Sequence, residues 1–388
     1  MHPPIRPRSW LLDLELAWLR FWRRPARTLV GAWAVIVAAA AVTFVLSVSD
    51  GLHDYLSQRL QAFTPALWVE AGAAAPSTDP IHRLSELPGV VAVSRHIASP
   101  VLVSSGARSA PARLEGYDLD ALPDVLPGAA WALEGRLPQH DGEAAVGVEL
   151  AASLGLAAGD VLSLASSQGS TLSLTISGLI RAGLVTIDGQ LLLVSYDLAD
   201  RLAGPGSRRG YALGVAHQDL AALRLEVQRE TGAWTQPWYE GRSSLLEALA
   251  VERQVMLWIS LSAIITAAFS TASVTALRVM EQRYELAILQ AVGASTANTL
   301  RTVLAESLTS ALAGALLGAG LGFTAAWALS RIPIGLPSGF GIAYLPVSPK
   351  AQHAVLAGGL TLLSAAVAAL GPALRGARMD PAATLRQR

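Results

Sequence analysis

Four stretches without a single Asp, Glu, Lys or Arg, Thr28–Ser49, Gln254–Leu277, Ser307–Ser330 and Ala351–Leu374, run for 22, 24, 24 and 24 residues. An α-helix rises about 1.5 Å per residue, so each run can cross a hydrocarbon layer of about 30 Å. One such run is often a buried helix of a large soluble protein. Four of them in 388 residues, 52% of which are hydrophobic, point to membrane spans. The first is not a cleavable signal: it is long, six arginines lie ahead of it, and no small-residue cleavage site follows a short apolar core.

Charge sets the direction of the spans. Arg6, Arg8, Arg20, Arg23, Arg24 and Arg27 oppose only Asp13 and Glu15 ahead of the first span, which puts the N-terminus in the cytoplasm. Three further crossings return the C-terminus to the same side, where Arg375, Arg378, Arg386 and Arg388 oppose Asp380 alone. Residues 50–253 carry 14 basic and 23 acidic side chains and belong outside. The reading is a multi-pass protein of the cell inner (plasma) membrane, in contact with membrane lipids, with both termini cytoplasmic. The fold class is a membrane protein, α-helical, with four transmembrane helices and one large extracytoplasmic α+β domain inserted between helices 1 and 2.

The expected segments are a cytoplasmic amphipathic helix (1–27), spans at 28–49, 254–277, 302–330 and 351–374, and an extracytoplasmic domain with helical stalks (50–253). A cytoplasmic loop (278–301), an external loop (331–350) and a cytoplasmic tail (375–388) complete the chain. Ser9–Arg24 groups Trp10, Leu14, Trp18, Phe21 and Trp22 on one face, as a helix lying in the membrane interface does. In the external part, Leu67–Ala71, Val90–Ser94, Val161–Ser166, Leu172–Ile180 and Leu191–Ser195 read as strands. Val148–Leu156 and Gln218–Gly232 read as helices.

Several chemistries lack their residues. There is no cysteine, hence no disulfide and no thiolate site. The sole lysine, Lys350, has no Gly-rich turn beside it, so no P-loop can form. The seven histidines make no metal-binding pair at helical spacing, and no GxSxG frames a serine nucleophile. Zero net charge gives no nucleic-acid footprint. The chain is read as no enzyme, without catalytic, cofactor-binding or metal residues and without a nucleic-acid partner.

Two patterns remain. Gly314, Gly318 and Gly322 form a small-residue stripe at four-residue spacing that admits a close neighbour, expected to be the fourth span with its Gly358 and Gly359. Between the second and third spans, Arg278–Ser295 reads as a short helix ending at Gly293, with Tyr284, Ile288 and Ala291 or Val292 on one face as contacts for a partner. Glu285 near its start suits the helix dipole and equally suits a contact to that partner.

The run EQRYELAILQAVGAS (Glu281–Ser295) resembles the coupling helix of the FtsX-like, MacB-type ABC transporter permeases, which reads close to R-x-x-E-x-A-I-L-x-A-x-G-A. Glu285, Ala287, Ile288, Leu289, Ala291, Gly293 and Ala294 match, and Arg283 stands beside the arginine position. MDPAATLR (Met379–Arg386) resembles the family's ending. LEGRLPQHDGEAAVGVELAASLGLAAGDVLSL (Leu133–Leu164) is most similar to the lipoprotein-releasing, Lol-type permeases. A short turn, Ser166–Thr171, stands where the carrier-docking subunit of those systems has an extended hairpin.

The resemblance implies an external MacB-like periplasmic core domain and a dimer with a second permease copy or paralogue. It implies a separate cytoplasmic ABC ATPase that binds the ATP and Mg, so that no cofactor sits in this chain. It implies mechanotransmission to an amphipathic substrate, with lipoprotein or lipid leading. The alternative it leaves open is a signalling subunit that transports nothing and regulates a cell-wall hydrolase.

Overall fold

The computed structural model describes residues 25–70, 80–131, 133–166, 169–216, 220–240, 243–333 and 344–379. The amphipathic segment Ser9–Arg24 and the family-like ending after Met379 lie outside them. In chain order the elements are α1 (Pro25–Ala62), β1 (Leu67–Glu70), α2 (Pro80–Ser85), β2 (Val90–Ser105), β3 (Arg108–Tyr117), α3 (Leu122–Val125), α4 (Pro127–Trp131), β4 (Leu133–Gly135) and β5 (Glu143–Gly147). Then follow α5 (Val148–Leu154), β6 (Val161–Ala165), β7 (Thr171–Ile180), α6 (Val185–Asp188), β8 (Leu191–Ser195), α7 (Tyr196–Leu202), β9 (Arg208–Val215), α8 (Leu220–Thr231) and β10 (Thr235–Pro237). The last four are α9 (Ser243–Glu281), α10 (Arg283–Ala291), α11 (Thr296–Leu329) and α12 (Ala351–Ala377). They divide into a unit of residues 54–248 with 333–343 and a unit holding the remainder.

In the helical unit, α1, α9, α11 and α12 are each long and apolar enough to cross a membrane. The glycine stripe does not face α12. A Cβ on Gly318 would collide with the Ile36 carbonyl oxygen and stand 2.9 Å from Ala39 Cβ. One on Gly322 would collide with Ala40 O, and one on Gly314 would lie 3.1 Å from Ala32 O and Val35 Cβ. The stripe therefore packs on α1, contrary to the expectation from Gly358 and Gly359. The reason is rotational: the adjoining row of α11, Ala311 and Ala315, meets α12 at Ala365 and Leu362. A Cβ on Gly358 would sit at an ordinary 3.7 Å from Ala319 Cβ, and one on Gly359 would touch nothing. At one end α1 is also joined to α12 through buried His353, whose Nδ1 lies 3.2 Å from Ser47 Oγ and whose Nε2 lies 2.9 Å from Asp50 Oδ2.

In the α/β unit the strand order is β10-β1-β9-β2-β3-β8-β5-β7-β4, and β6 pairs with both β2 and β7. The pairings β2–β3–β8–β5–β7–β6–β2 thus close a ring of six strands, with β3–β8 and β5–β7 parallel. Period-two alternation sends Ile97, Val103, Leu114, Val146, Leu162, Leu174 and Leu192 into the ring, where α5 and α7 add Leu150, Leu154 and Leu198. Each of these is almost fully buried, worth about 1.5–3 kcal/mol apiece relative to exposure. Pro100 falls on β2 between the stretch paired to β9, ending at Ala98, and the stretch paired to β6, beginning at Leu102. A residue without an N–H is tolerated there because no ladder bond is lost.

The Lol-type motif proves to be internal scaffolding. Arg136 forks onto Glu143, with Nη1 2.6 Å from Oε2, and the Gln139 amide donates to the same oxygen at 3.1 Å. The guanidinium beside it holds the Glu143 carboxyl below the usual carboxylate range. Ser195 Oγ donates to Asp141 at 2.5 Å, and that bond likewise lowers the Asp141 carboxyl. Gly155 caps α5 in the left-handed region at φ +70°, which only glycine adopts without strain. At the β6–β7 connection the Ser166 amide donates to Ser170 O at 2.9 Å and the Gly169 amide to Ser166 O at 2.9 Å.

Candidate functional site: the loop between α9 and α11

The second long helix does not stop where the charge-free run stops. It carries on through Arg278 to Glu281, breaks at Gln282, and restarts as α10 over Arg283–Ala291. Gly293 follows with φ +105°, a left-handed value that releases the chain from the helix. Ser295 then begins α11 as an N-cap whose side chain accepts from the Asn298 amide at 3.3 Å.

This short helix has two faces. Leu286 and Ala287 are buried, and Leu286 packs with Val279, Val303 and Ala373 from α9, α11 and α12. The Gln290 side-chain amide donates to Ala377 O at 3.0 Å and approaches Thr299 Oγ1 at 3.4 Å, tying α10 to α12 and α11. Gly376 admits Val279 so closely that a Cβ there would lie 2.5 Å from Val279 Cγ1. On the outer face Ile288 is 54% exposed, Leu289 48% and Val292 79%, beside exposed Ala291 and Gly293. Tyr284 is half-buried under the Arg283 guanidinium, 5.0 Å from its ring centre. Glu285 is exposed in the first turn and makes no hydrogen bond or ion pair among the described residues. Ala294 is half-buried, its amide donating to Leu289 O at 3.0 Å.

The residues named from sequence thus separate. Arg283, Glu285, Ile288, Leu289, Ala291 and Gly293 form a surface, Ala287 is core, and Tyr284 and Ala294 stand between. What sequence reasoning missed is the inner anchor of Leu286 and Gln290. Its one signal was the i, i+4 spacing of these two residues, which only the neighbouring helices make meaningful.

The FtsX-like permease C-terminal family matches residues 257–381, the stretch that contains this loop. The MacB-like periplasmic core domain family matches residues 28–229, more than half of the chain. The chain belongs to this permease family. Its relatives include three proteins named lipoprotein-releasing system transmembrane protein LolC. That of Neisseria meningitidis is 24% identical over 97% of this chain and all of the relative. That of Xylella fastidiosa strain 9a5c is 27% identical over 96% and 98%, and that of Haemophilus influenzae 25% over 95% and 97%. The periplasmic region of MacB from Actinobacillus actinomycetemcomitans aligns at 14% identity over 48% of this chain and 95% of that one. Its TM-score of 0.32 adds nothing to the assignment. This permease is accordingly the transmembrane subunit of an ABC transporter, a multi-pass inner-membrane protein that works with an ABC ATPase.

Proposed function

We propose that this permease pairs with a second permease, a copy of itself or a paralogue, to couple ATP hydrolysis on separate cytoplasmic subunits to extraction of an amphipathic substrate, lipoprotein first and lipid second. The observation that carries the reading is the two-faced helix α10. An apolar outer face of Ile288, Leu289 and Val292 is held rigidly by Leu286 and Gln290 against three of the long helices. A push on such a helix is passed directly to α9, α11 and α12, so that a change of packing and not bond chemistry is the permease's task. ATP and Mg belong to the partner. The LolC name of the relatives supports the choice of lipoprotein. The second permease is supported by α9, whose Leu257, Trp258, Leu261, Ile265 and Phe269 are exposed to whatever surrounds the helix.

The test is the ATPase rate of the permease reconstituted in liposomes with its ATPase. A purified acylated lipoprotein is expected to raise the rate several-fold, and its unacylated form to leave it unchanged. An unresponsive ATPase in a complex that contains two permeases per two ATPases would refute substrate extraction.

Orientation is part of the proposal: α10 and both termini face the cytoplasm and residues 54–248 face outward. The absence of native cysteine makes single-cysteine labelling clean. A cysteine at Ser104 is expected to react with a membrane-impermeant maleimide in intact cells, and one at Ser295 only after permeabilisation. Labelling of the Ser295 position from outside would reverse the topology.

A further inference from the structure

The outer face of the strand ring carries a feature that the transport mechanism leaves unused. Alternation that sends Ile97, Leu114 and Leu192 inward turns His96, Glu115, Tyr117, Arg113 and Leu191 outward. They border a cavity of about 320 Å³ together with Trp68, Trp238 and Leu126. That volume lies at the lower end of the range of about 300–1,000 Å³ for small-molecule pockets. His96 is buried and stacked on Tyr117 at 4.5 Å. Its Nδ1 accepts the Trp68 indole N–H at 3.0 Å and its Nε2 stands 2.5 Å from Glu115 Oε2. Indole nitrogen only donates, so His96 Nδ1 is the acceptor from Trp68 and its Nε2 faces Glu115. Arg113 Nε holds the other Glu115 oxygen at 2.5 Å. Burial works against the Glu115 charge, but the His96 and Arg113 contacts outweigh it and keep its carboxyl below the usual range. The acid is therefore internally satisfied, and the Trp68 N–H is spent.

One cation borders this cavity without an acid to neutralise it. The Arg208 guanidinium lies over the Trp68 ring at 4.3 Å and donates to Gln236 Oε1 at 3.2 Å, but pairs with no carboxylate among the described residues. The result is an aromatic and aliphatic chamber with one cation at its rim that has no acid partner among the described residues.

We propose that this cavity is a binding site for a small amphiphile that carries one anionic group, carboxylate or phosphate, on an apolar body. The anion pairs with Arg208, and the body lies against Trp68, Trp238 and Leu126. The site is independent of whether the permease extracts lipoproteins, because binding is read on the permease alone.

The full chain in phosphatidylcholine nanodiscs would be titrated calorimetrically with octanoate, octyl phosphate and octanol, with empty nanodiscs as blank. One saturable site per chain is expected for at least one anion, and their relative affinity tells a carboxylate from a phosphate site. Octanol should bind at least about tenfold more weakly, the scale of one charge-assisted contact. Arg208→Gln should weaken the anion about tenfold. Arg209→Gln, at an arginine paired with Asp200 and outside the cavity wall, should not. Gln190→Trp, an exposed residue at the cavity border, should block binding with Arg208 intact and keeps the test decisive if Arg208→Gln fails to fold. Equal affinity for octanol and octanoate, or uptake no different from empty discs, overturns the site. So does anion binding unchanged in Arg208→Gln or, where that variant does not fold, in Gln190→Trp.

Discussion

Ile288→Asp is expected to leave membrane insertion and folding intact and to abolish both ATPase association and its stimulation. The side chain is more than half exposed in the isolated permease, so a carboxylate there remains hydrated and disturbs little. In a groove on the ATPase the same carboxylate would be desolvated without a partner, which costs several-fold more than loss of the isoleucine contact. An anchor of that kind is worth at least about 2 kcal/mol, roughly 30-fold in affinity. Leu286→Ala supplies the contrast. It opens a cavity among Val279, Val303 and Ala373, and should lower thermal stability by about 2–5 kcal/mol while the outer face stays chemically unchanged. Co-purification and ATPase assays on both variants decide the matter: wild-type coupling in Ile288→Asp would falsify the assignment of α10 as the coupling helix.

Gly318→Leu is expected to remove most of the correctly folded permease. The Cβ alone overlaps the Ile36 carbonyl oxygen, and that atom belongs to the backbone of α1 and cannot rotate aside. Relief requires α1 and α11 to separate along their length, which also opens the contacts at Gly314 and Gly322. Overpacking of a rigid helix contact typically costs about 1–3 kcal/mol, and here a whole helix pair must shift, so the upper end applies. Gly359→Leu, on α12 where a Cβ meets nothing, should be tolerated. Fluorescence-detected size-exclusion chromatography of the two variants separates the outcomes. A monodisperse Gly318→Leu peak at wild-type yield would show that the α1–α11 contact does not hold the helices together.

The strand ring shows how far local pattern reaches. Runs such as Leu172–Ile180 and Leu191–Ser195 were legible because their apolar residues are unbroken or alternate cleanly between turn residues. β3, β5 and β9 were not, since RSAPARLEGY, EAAVG and RRGYALGV mix proline, glycine and charge into segments that only their neighbours complete. Closure of β6 onto both β2 and β7 joins residues some sixty positions apart, such as Ser104 and Ser163, and no periodicity encodes such a pairing.

The sequence by itself determined the four apolar helices, the α/β character of the segment between the first two, the loop helix and the glycine that ends it. Each follows from properties carried within a few turns of chain: charge-free length, hydrophobic period and a left-handed position that suits glycine. The family was legible in EQRYELAILQAVGAS for the same reason. Which helix the glycine stripe meets was decided only by the tertiary structure, because α1 with its run of alanines and α12 with Gly358 and Gly359 offer equally small surfaces. A rotation of one residue, about 100°, selects between them. The tertiary structure also turned Ala287 inward and Ile288 outward, although the motif names both alike. It gathered Trp68, His96, Glu115 and Arg208 from four strands around one cavity, an arrangement that depends on strand register and is invisible to any local reading.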